Sequence, residues 1–440
     1  ATTYARSGLI DFISVVGGQA SDYQSEARLW PTMWVPSAAY LPLAKAVRNA
    51  VGDMVRVFHA SRMTDAATAV HALTGGYVDM VGMTRAFIAD PHHINKLKAG
   101  DEENIRPCVG VGYCVDRAIK GIDALCAHNV ATSREATIPQ EVRPAPTKKK
   151  VVVVGGGPAG MEAARVSARR GHDVVLMEAA DQLGGQLLLA SRATWRRDLS
   201  GITAWLARQM QILGVDVRLN AYAEESDVLA EKPDAVIIAT GGLPNLGRFE
   251  GADLAVSVWD VLSGQVSIGA EVLLADENGT ASSASCAEFA AQKGAKLRIV
   301  SPDREFGREI GGTNLGAHMT ELYKYDVRIE TDTRLVSIAR RDNRLVATVE
   351  NTYSKVPREL VVDQVIGDNG TLPNDDLYFA LKPHSRNLGE VDLRALAEAR
   401  AQDVVNNPEG SFSLYKIGDA WSSRNLHAAM LDAARICHPL

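Results

Sequence analysis

Four consecutive valines followed by three spaced glycines constrain the fold of this chain more than any other feature. Residues 151–154 predict a buried strand, and a predicted helix begins just after the glycines, which are Gly155, Gly157 and Gly160. Glycines at this spacing allow a tight turn and close backbone approach, so a pyrophosphate can lie at the helix N-terminus. A second predicted strand ends at Glu178, where an acid can bond a ribose hydroxyl. Because these parts occur in order, we predict an α/β dinucleotide-binding unit rather than a chance glycine-rich turn.

Two later segments strengthen this prediction. Thr240 and Gly241 follow an apolar strand, and Gly418 and Asp419 follow another near the C-terminus. The set resembles flavoproteins with two dinucleotide-binding domains, in which a late Gly-Asp pair meets the flavin ribitol or its equivalent. Glutamate rather than arginine at 178 disfavours a 2′-phosphate, so we expect FAD or ADP there.

Three of the five cysteines lie within nineteen residues, at the spacing Cys-x5-Cys-x11-Cys. They are Cys108, Cys114 and Cys126. Thiolates gathered in a loop of an intracellular protein are more often metal or cluster ligands than disulfide partners. The alternative is three buried structural cysteines, which is the role we expect for the isolated Cys286 and Cys437.

The N-terminal part alternates predicted strands and helices, which indicates a parallel sheet. The apolar runs that predict its strands are 9–16, 54–59 and 78–83. Ser61 and Arg62 follow the second run, and Thr84 and Arg85 follow the third. Late strands of a (β/α)₈ barrel build phosphate sites in this way, although both arginines can equally be ordinary surface or ion-paired residues.

A second α/β unit begins with a predicted strand over 272–275. Its next residues are Asp276-Glu277-Asn278-Gly279, where a functional NAD(P)H site needs a glycine-rich turn. One glycine and two carboxylates are electrostatically wrong for a dianionic pyrophosphate. We therefore predict that NAD(P)H does not bind here and that the unit serves as structure or as a docking surface.

Composition excludes several classes of function. The chain has 440 residues, 46% of them hydrophobic, and a net charge of −6. That is enough for two or three domain cores, and it offers no basic face for nucleic acid. No apolar stretch reaches membrane-spanning length and no signal-peptide core is present, so we expect a cytoplasmic protein without a membrane span.

Taken together, the Arg106-Pro107-Cys108 loop and the downstream glycine turn resemble a known family. These are flavoproteins similar to trimethylamine dehydrogenase and bacterial 2,4-dienoyl-CoA reductase, in which an Old-Yellow-Enzyme-like FMN barrel precedes a cluster loop and two dinucleotide-binding domains. The segments 276–279 and 370–383 resemble most closely the N-methyl amino-acid demethylases that act on dimethylglycine or N-methylproline.

The resemblance implies an α/β fold comprising the C-terminal part of a (β/α)₈ FMN barrel, an iron–sulfur loop and two Rossmann-like dinucleotide-binding domains. The implied domains are a barrel part over 1–105, a cysteine-rich cluster loop over 106–136, a linker over 137–150, an FAD/ADP-binding domain over 151–268 and 405–440, and an inserted degenerate NAD(P)-type domain over 269–404.

It also implies the binding residues. The FMN phosphate would be held by Ser61, Arg62, Thr84 and Arg85, and an iron–sulfur cluster by Cys108, Cys114 and Cys126. FAD or ADP would be held by Gly155, Gly157, Gly160, Glu178, Gly185, Thr240, Gly241, Gly418 and Asp419. On the substrate side, Tyr23, Trp30 and Trp34 are candidates to cage a methylated ammonium by cation–π attraction, or else they pack their loop. The catalytic residue itself stays unknown.

Two departures from the family pattern bear on these implications. The second cysteine of the family's Cys-x2-Cys-x2-Cys-x11-Cys pattern is Val111 here. Three thiolates leave a [3Fe–4S] cluster, a [4Fe–4S] cluster with another fourth ligand such as Tyr113, Asp116 or His128, or a lost cluster. In addition, a barrel takes about 250 residues, whereas roughly 130 precede the linker. The rest would come from another polypeptide or from a longer chain within which this sequence begins.

The resemblance implies an FMN-dependent N-methyl amine dehydrogenase. It would demethylate a dimethylglycine- or N-methylproline-type substrate, release formaldehyde, and pass electrons through the cluster to an electron-transferring flavoprotein. Two alternatives stay open: an NAD(P)H-dependent enoate or 2,4-dienoyl-CoA reductase, and a non-catalytic electron-transfer subunit that completes a partner's barrel.

Overall fold

A computed structural model describes residues 1–193 and 195–440. The chain divides into two compact units. The first comprises Ala1–Ser133 together with the distant segment Gly311–Thr320, and the second comprises Arg134–Ile310 and Glu321–Leu440. In the described part of the chain, no helix is long and apolar enough to cross a membrane.

The first unit is built on a parallel sheet of three strands in the order β1-β2-β3. The strands are β1 (Phe12–Val15), β2 (Arg56–His59) and β3 (Met80–Val81). Its helices are α1 (Thr2–Arg6), α2 (Tyr23–Leu29), α3 (Leu41–Val51), α4 (Ala66–Thr74), α5 (Thr84–Ala89), α6 (His93–Lys98) and α7 (Tyr113–Ile119), with a 3₁₀ turn at Glu102–Asn104. Each strand is shorter than the apolar run that predicted it, because a residue joins the ladder only where a neighbouring strand faces it.

The core of this unit lies against the sheet. Val57 of β2 is fully buried beside Ala44 and Val51 of α3. Helix α4 begins after Asp65, whose carboxylate accepts a hydrogen bond from the backbone N–H of Thr68 at 2.8 Å. Short capped helices thus connect strands whose carboxyl ends share one edge of the sheet.

The second unit contains a five-stranded parallel sheet in the order β18-β7-β4-β5-β6. Its strands are β4 (Lys150–Val154), β5 (Asp173–Met177), β6 (Asp216–Arg218), β7 (Ala235–Ile238) and β18 (Ser413–Lys416). The four valines of β4 are buried, as expected for a central strand covered on both faces.

A second five-stranded parallel sheet has the order β12-β11-β10-β16-β9. Its strands are β9 (Val256–Ser257), β10 (Glu271–Asp276), β11 (Lys296–Val300), β12 (Arg328–Glu330) and β16 (Gln364–Asp368). Beside it are an antiparallel sheet of β13 (Thr333–Arg341), β14 (Arg344–Asn351) and β15 (Pro357–Val362), and a two-stranded pair of β8 (Gly242–Pro244) and β17 (Thr371–Pro373). The predicted α/β class with parallel sheets is confirmed.

The remaining helices cover these sheets. They are α8 (Pro158–Arg169), α9 (Gln186–Ala190), α10 (Ser200–Ile212), α11 (Glu225–Ala230), α12 (Val258–Ser263), α13 (Ala281–Gln292), α14 (Gly312–Tyr323), α15 (Asp376–Leu381), α16 (Leu393–Ala397) and α17 (Leu426–Cys437). Further 3₁₀ turns lie at Arg197–Leu199, Ala252–Leu254, Lys382–His384 and Gly418–Ala420.

Candidate functional site

The second unit contains a cavity of about 470 Å³ at the carboxyl edge of the sheet around β4. Eight residues predicted to bind a nucleotide line it: Gly155, Gly157, Glu178, Gly185, Thr240, Gly241, Gly418 and Asp419. They come from the ends of separate strands and from adjoining loops. They meet because the carboxyl ends of parallel strands open onto the same edge of the sheet.

The glycine turn at this edge has almost no room for side chains. A Cβ at Gly155 would lie 2.2 Å from the carbonyl oxygen of Ala239, and its φ is +108°. A Cβ at Gly160 would lie 1.8 Å from the carbonyl oxygen of Gly155, so Gly160 packs directly against the backbone of the turn. Gly160 does not line the cavity. At Gly157, the N-cap of α8, a Cβ would have no atom within 4 Å. The open side of the turn is therefore the side that faces the cavity.

Glu178 stands at the end of β5 and reaches this turn. Its Oε2 accepts a hydrogen bond from the N–H of Gly156 at 2.5 Å, and its Oε1 accepts one from Ala180 at 2.7 Å. The two bonds hold the carboxylate at the cavity wall. An acid held there suits a ribose hydroxyl donor.

Asp419 also lines the cavity and is held there by contacts from distant segments. Its Oδ2 accepts hydrogen bonds from Gln186 Nε2 and Thr371 Oγ1, both at 3.1 Å. Gly418, with φ +61°, donates its N–H to Asp432 at 3.0 Å. The carboxylate of Asp419 is thus oriented before any ligand binds.

Part of the cavity wall was not anticipated from the sequence. Arg196, Trp259, Ser282 and Ser285 all line it. The Oγ of Ser285 is buried and has no hydrogen-bond partner in the described part of the chain. These residues belong to a loop and to helices α12 and α13, and no motif marks them.

Two buried aspartates occupy the carboxyl edge of the other parallel sheet. Asp276 ends β10, Asp368 ends β16, and the two are paired in register. The Oγ of Ser283 lies 2.9 Å from a carboxylate oxygen of each. The Oδ1 of Asp276 also accepts the N–H groups of Asn278 and Gly279, at 3.2 Å and 2.8 Å. The acidic turn predicted from sequence is therefore closed upon itself by internal bonds.

We expect Asp276→Asn to remove part of the pH dependence of stability. Burial raises the pKa of Asp276 from 3.8 to about 6. The folded protein then holds this proton more tightly than the unfolded chain does. The resulting stabilisation is present below about pH 4 and is lost as the pH rises through about 6, by roughly 3 kcal/mol. Thermal unfolding of both proteins across this range measures the difference, and parallel curves contradict the expectation.

The three cysteines of the first unit lie half-buried in one loop region. Burial raises the pKa of each thiol, to about 11 for Cys114. Neighbouring Arg85 and Arg62 act in the opposite direction on Cys108, and backbone N–H groups do so on all three thiols. A bound metal replaces the thiol proton, so the same N–H groups and cations would stabilise thiolate ligands.

The cysteine loop is held by the segment Gly311–Thr320. The Oδ1 of buried Asp116 accepts hydrogen bonds from the N–H of Thr313 at 3.0 Å and from its Oγ1 at 2.8 Å. Asn314 Nδ2 donates to the carbonyl oxygen of Val111 at 2.6 Å. These bonds tie the carbonyl oxygen of Val111 and the carboxylate of Asp116 to the segment Gly311–Thr320.

The loop supplies three thiolates and no fourth cysteine, so a fourth ligand such as Tyr113 or His128 stays a prediction. Val111 has no ligating atom, and Asp116, one of the alternative ligands considered above, already accepts from Thr313. Within residues 1–193 and 195–440, no three His, Cys, Asp or Glu side chains converge on a single-ion site. An iron–sulfur cluster is wider than one ion, so its thiolates stand further apart than the ligands of a single metal.

The predicted phosphate-binding arginines contact backbone carbonyls. Arg62, which has φ +46°, donates from Nη1 to the carbonyl oxygen of Val35 and to that of Met33 at 3.4 Å. Arg85 donates from Nη1 to the carbonyl oxygen of Pro31 at 2.5 Å. Ser61 is buried and Thr84 is the first residue of α5, so each pair follows its strand as predicted. The two arginines fasten the loop over 31–35.

The three predicted aromatic residues lie on and after α2. Tyr23 begins that helix and is 83% exposed, and Trp30 is its C-cap residue. The guanidinium of Arg28 lies 5.6 Å from the centre of the Trp34 ring. One cation of the chain itself therefore already stands over this ring, and the cage stays a prediction.

Comparison with known proteins identifies relatives over nearly the whole chain. The pyridine nucleotide-disulphide oxidoreductase family model matches residues 115–232 and 149–395. The chain is 43% identical over 433 residues to a protein named probable N-methylproline demethylase from Rhizobium meliloti, covering 98% of this chain. It is 44% identical over 451 residues to the N,N-dimethylglycine/sarcosine dehydrogenase of Chromohalobacter salexigens, covering 99%. These relatives confirm the predicted resemblance to N-methyl amino-acid demethylases.

A solved structure of 2-naphthoyl-CoA reductase shares the architecture. It superposes with a TM-score of 0.84 at 26% identity and covers 99% of this chain and 62% of its own. The chain likewise spans only 63% and 65% of the two curated relatives. The matched region is thus a part of each of these longer proteins.

Proposed function

The chain belongs to the pyridine nucleotide-disulphide oxidoreductase family, and from that membership we propose that the cavity of the second unit binds FAD or ADP. The observation that carries the proposal is the convergence of the glycine turn, Glu178 and Asp419 on one cavity. The pyrophosphate would lie at the N-terminus of α8, beside the open face of Gly157. Glu178 would accept from a ribose hydroxyl, and Asp419 would meet the ribitol or its equivalent.

We propose that the whole protein demethylates a methylated amine or amino acid oxidatively. The names of the two relatives, N-methylproline demethylase and N,N-dimethylglycine/sarcosine dehydrogenase, support this substrate class. Bound FMN would accept hydride from the N-methyl carbon, and a bound iron–sulfur cluster would pass electrons singly to an electron-transferring flavoprotein. Water would then hydrolyse the substrate iminium to formaldehyde and the demethylated amine.

The residues of the first unit would bind and orient these groups. Cys108, Cys114 and Cys126 would supply three thiolates, stabilised by backbone N–H donors. The backbone N–H groups at the ends of β2 and β3 would hold the FMN phosphate, with Arg62 and Arg85 fixing the adjoining loop. Binding must keep the substrate amine neutral, because the nitrogen lone pair drives the loss of hydride.

We also propose that further βα units complete a barrel on the first unit, supplied by the same or another polypeptide. The three-stranded sheet is open at β1, where Phe12 is 50% exposed, and Leu9 just before it is 87% exposed. An open sheet of this size leaves apolar edges in water and cannot enclose a flavin. The 63% and 65% coverage of the curated relatives is consistent with a missing part.

The experiment mixes the purified protein, with any co-purifying polypeptide, anaerobically with N-methylproline, dimethylglycine or NAD(P)H. We expect the methylated amines to bleach the flavin absorbance and to release formaldehyde, while NAD(P)H leaves the spectrum unchanged. Proline, which lacks the N-methyl group of N-methylproline, and glycine, which lacks both N-methyl groups of dimethylglycine, are the controls. Bleaching by NAD(P)H alone would replace the demethylase with an enoate-type reductase. Mass spectrometry of the nucleotide released by heat distinguishes FAD from ADP.

A further inference from the structure

The turn between β10 and α13 occupies the place where a dinucleotide-binding unit holds its pyrophosphate. In such a unit the backbone N–H groups after the first strand and the N-terminus of the following helix face the phosphates. Here β10 is the central strand of its sheet and α13 follows it after four residues. The N-cap Thr280 makes no side-chain capping bond. The position and the polarity of the backbone therefore suit an anion.

Two carboxylates of the chain itself already take the place of that anion. Asp276 is 0% exposed, and its Oδ1 accepts the N–H groups of Asn278 and Gly279. Asp368 accepts at Oδ2 from the hydroxyls of Ser282 and Ser283, on the first turn of α13. Two backbone N–H groups and two hydroxyls of this turn are thus committed to the two carboxylates.

The charged side chains near this turn are also paired with each other. The guanidinium of Arg308 pairs with Asp303 at 2.7 Å and with Glu309 at 3.4 Å. A dianion entering here would have to displace internal hydrogen bonds and approach two buried acids.

The turn after β4 differs from the turn after β10 in its open space and in the source of its acid. Its N-cap residue Gly157 faces open space, and the acid Glu178 comes from the neighbouring strand and takes only the Gly156 N–H of the turn. Both turns lie in the same unit and follow central parallel strands. The turn after β4 is open to a phosphate, whereas the turn after β10 is occupied by carboxylates of the chain itself.

We propose that Asp276 and Asp368 are specificity-determining residues whose carboxylates fill the pyrophosphate position and so exclude NAD(P)H from this unit. Electrons then enter and leave the protein by reactions other than hydride exchange with a nicotinamide at this turn. The inference does not depend on the amine substrate, so its failure and the failure of the proposed demethylation are separate results.

The test is hydrogen exchange read by mass spectrometry on the full chain, with excess FAD present and NADPH or inorganic pyrophosphate titrated to millimolar concentration. Peptides over 277–280 report the closed turn, whereas peptides over 155–160 and 281–285 border the other cavity and report any ligand that enters it. In the unsubstituted protein we expect NADPH to protect no amide in 277–280. Protection of that segment would overturn the proposal directly.

Two substitutions of Asp276 separate the effect of its negative charge from the effect of its hydrogen bonds to the backbone N–H groups. Asp276→Asn keeps the shape and an acceptor for the two N–H groups but removes a charge, and we expect NADPH to bind roughly tenfold tighter or more. Asp276→Ala also frees both N–H groups and is expected to bind tighter still. If the alanine protein does not fold, the asparagine protein decides: a folded Asp276→Asn protein with unchanged NADPH protection refutes the proposal.

Discussion

Gly160→Ala protein is expected to lose its bound adenine nucleotide and more than about 3 kcal/mol of stability in the second unit, beyond the usual range for overpacking. The added Cβ would lie 1.8 Å from the carbonyl oxygen of Gly155. That oxygen belongs to the turn itself and cannot rotate away as a flexible side chain can. The backbone must shift instead, and the turn loses the shape that admits a pyrophosphate.

Thermal unfolding and nucleotide release measure both effects of Gly160→Ala. For a unit of this size 1 kcal/mol corresponds to about 2–4 °C, so the melting temperature should fall by roughly 6 °C or more. Gly157→Ala is the matched control for folding, because its Cβ meets no atom within 4 Å yet faces the cavity. It should fold normally and bind nucleotide more weakly. Unchanged stability and nucleotide content in the Gly160→Ala protein would show that the turn is not packed as described.

Replacing any one of Cys108, Cys114 and Cys126 with serine is expected to abolish cluster binding and to reduce electron delivery to an external acceptor to background. With Val111 at the fourth position, the loop has no spare thiolate to replace a lost one. The measurement is iron and labile sulfide per chain, with electron paramagnetic resonance of the purified protein. Cys286→Ala is the matched control, since Cys286 is buried in α13 of the second unit and should leave the iron content unchanged.

The converse substitution, Val111→Cys, should raise the iron content. We expect about three irons per chain in the natural sequence and about four after the substitution, because four thiolates normally hold a [4Fe–4S] cluster. Equal iron content in the two proteins would mean that another ligand completes the cluster. Absence of iron from both would mean that the cysteines are structural.

The nucleotide cavity was predictable from sequence because its parts are local. The valine strand, the glycines and Glu178 lie within one short stretch whose spacing follows directly from the geometry of a strand, a turn and a helix. The late Gly418-Asp419 pair also follows a strand that returns to the same sheet. Such signals depend on backbone geometry, which short motifs record well.

Other parts of the site depend on pairings that leave no local signal. Trp259 and Ser285 reach the cavity from helices that begin far along the chain. Arg62 and Arg85 could be placed after their strands, but not their contacts with the carbonyls over 31–35. Asp276 could be recognised as wrong for phosphate, whereas its capture of two backbone N–H groups could not. Tertiary contacts of this kind are set by how elements pack, and many sequences are compatible with them.

The bond between Asp116 and Thr313 spans 197 residues and imposes an order on biosynthesis. At about 5–20 residues per second, a ribosome needs roughly 10–40 s to deliver the threonine after the aspartate has been made. During that interval the cysteine loop is exposed to solvent, metal and oxidant without its covering segment. A recombinant fragment that ends at residue 133 would remain in this unfinished state permanently. The smallest fragment that contains a complete first unit therefore extends at least to Thr320, although almost all of that unit is encoded in the first third of the sequence.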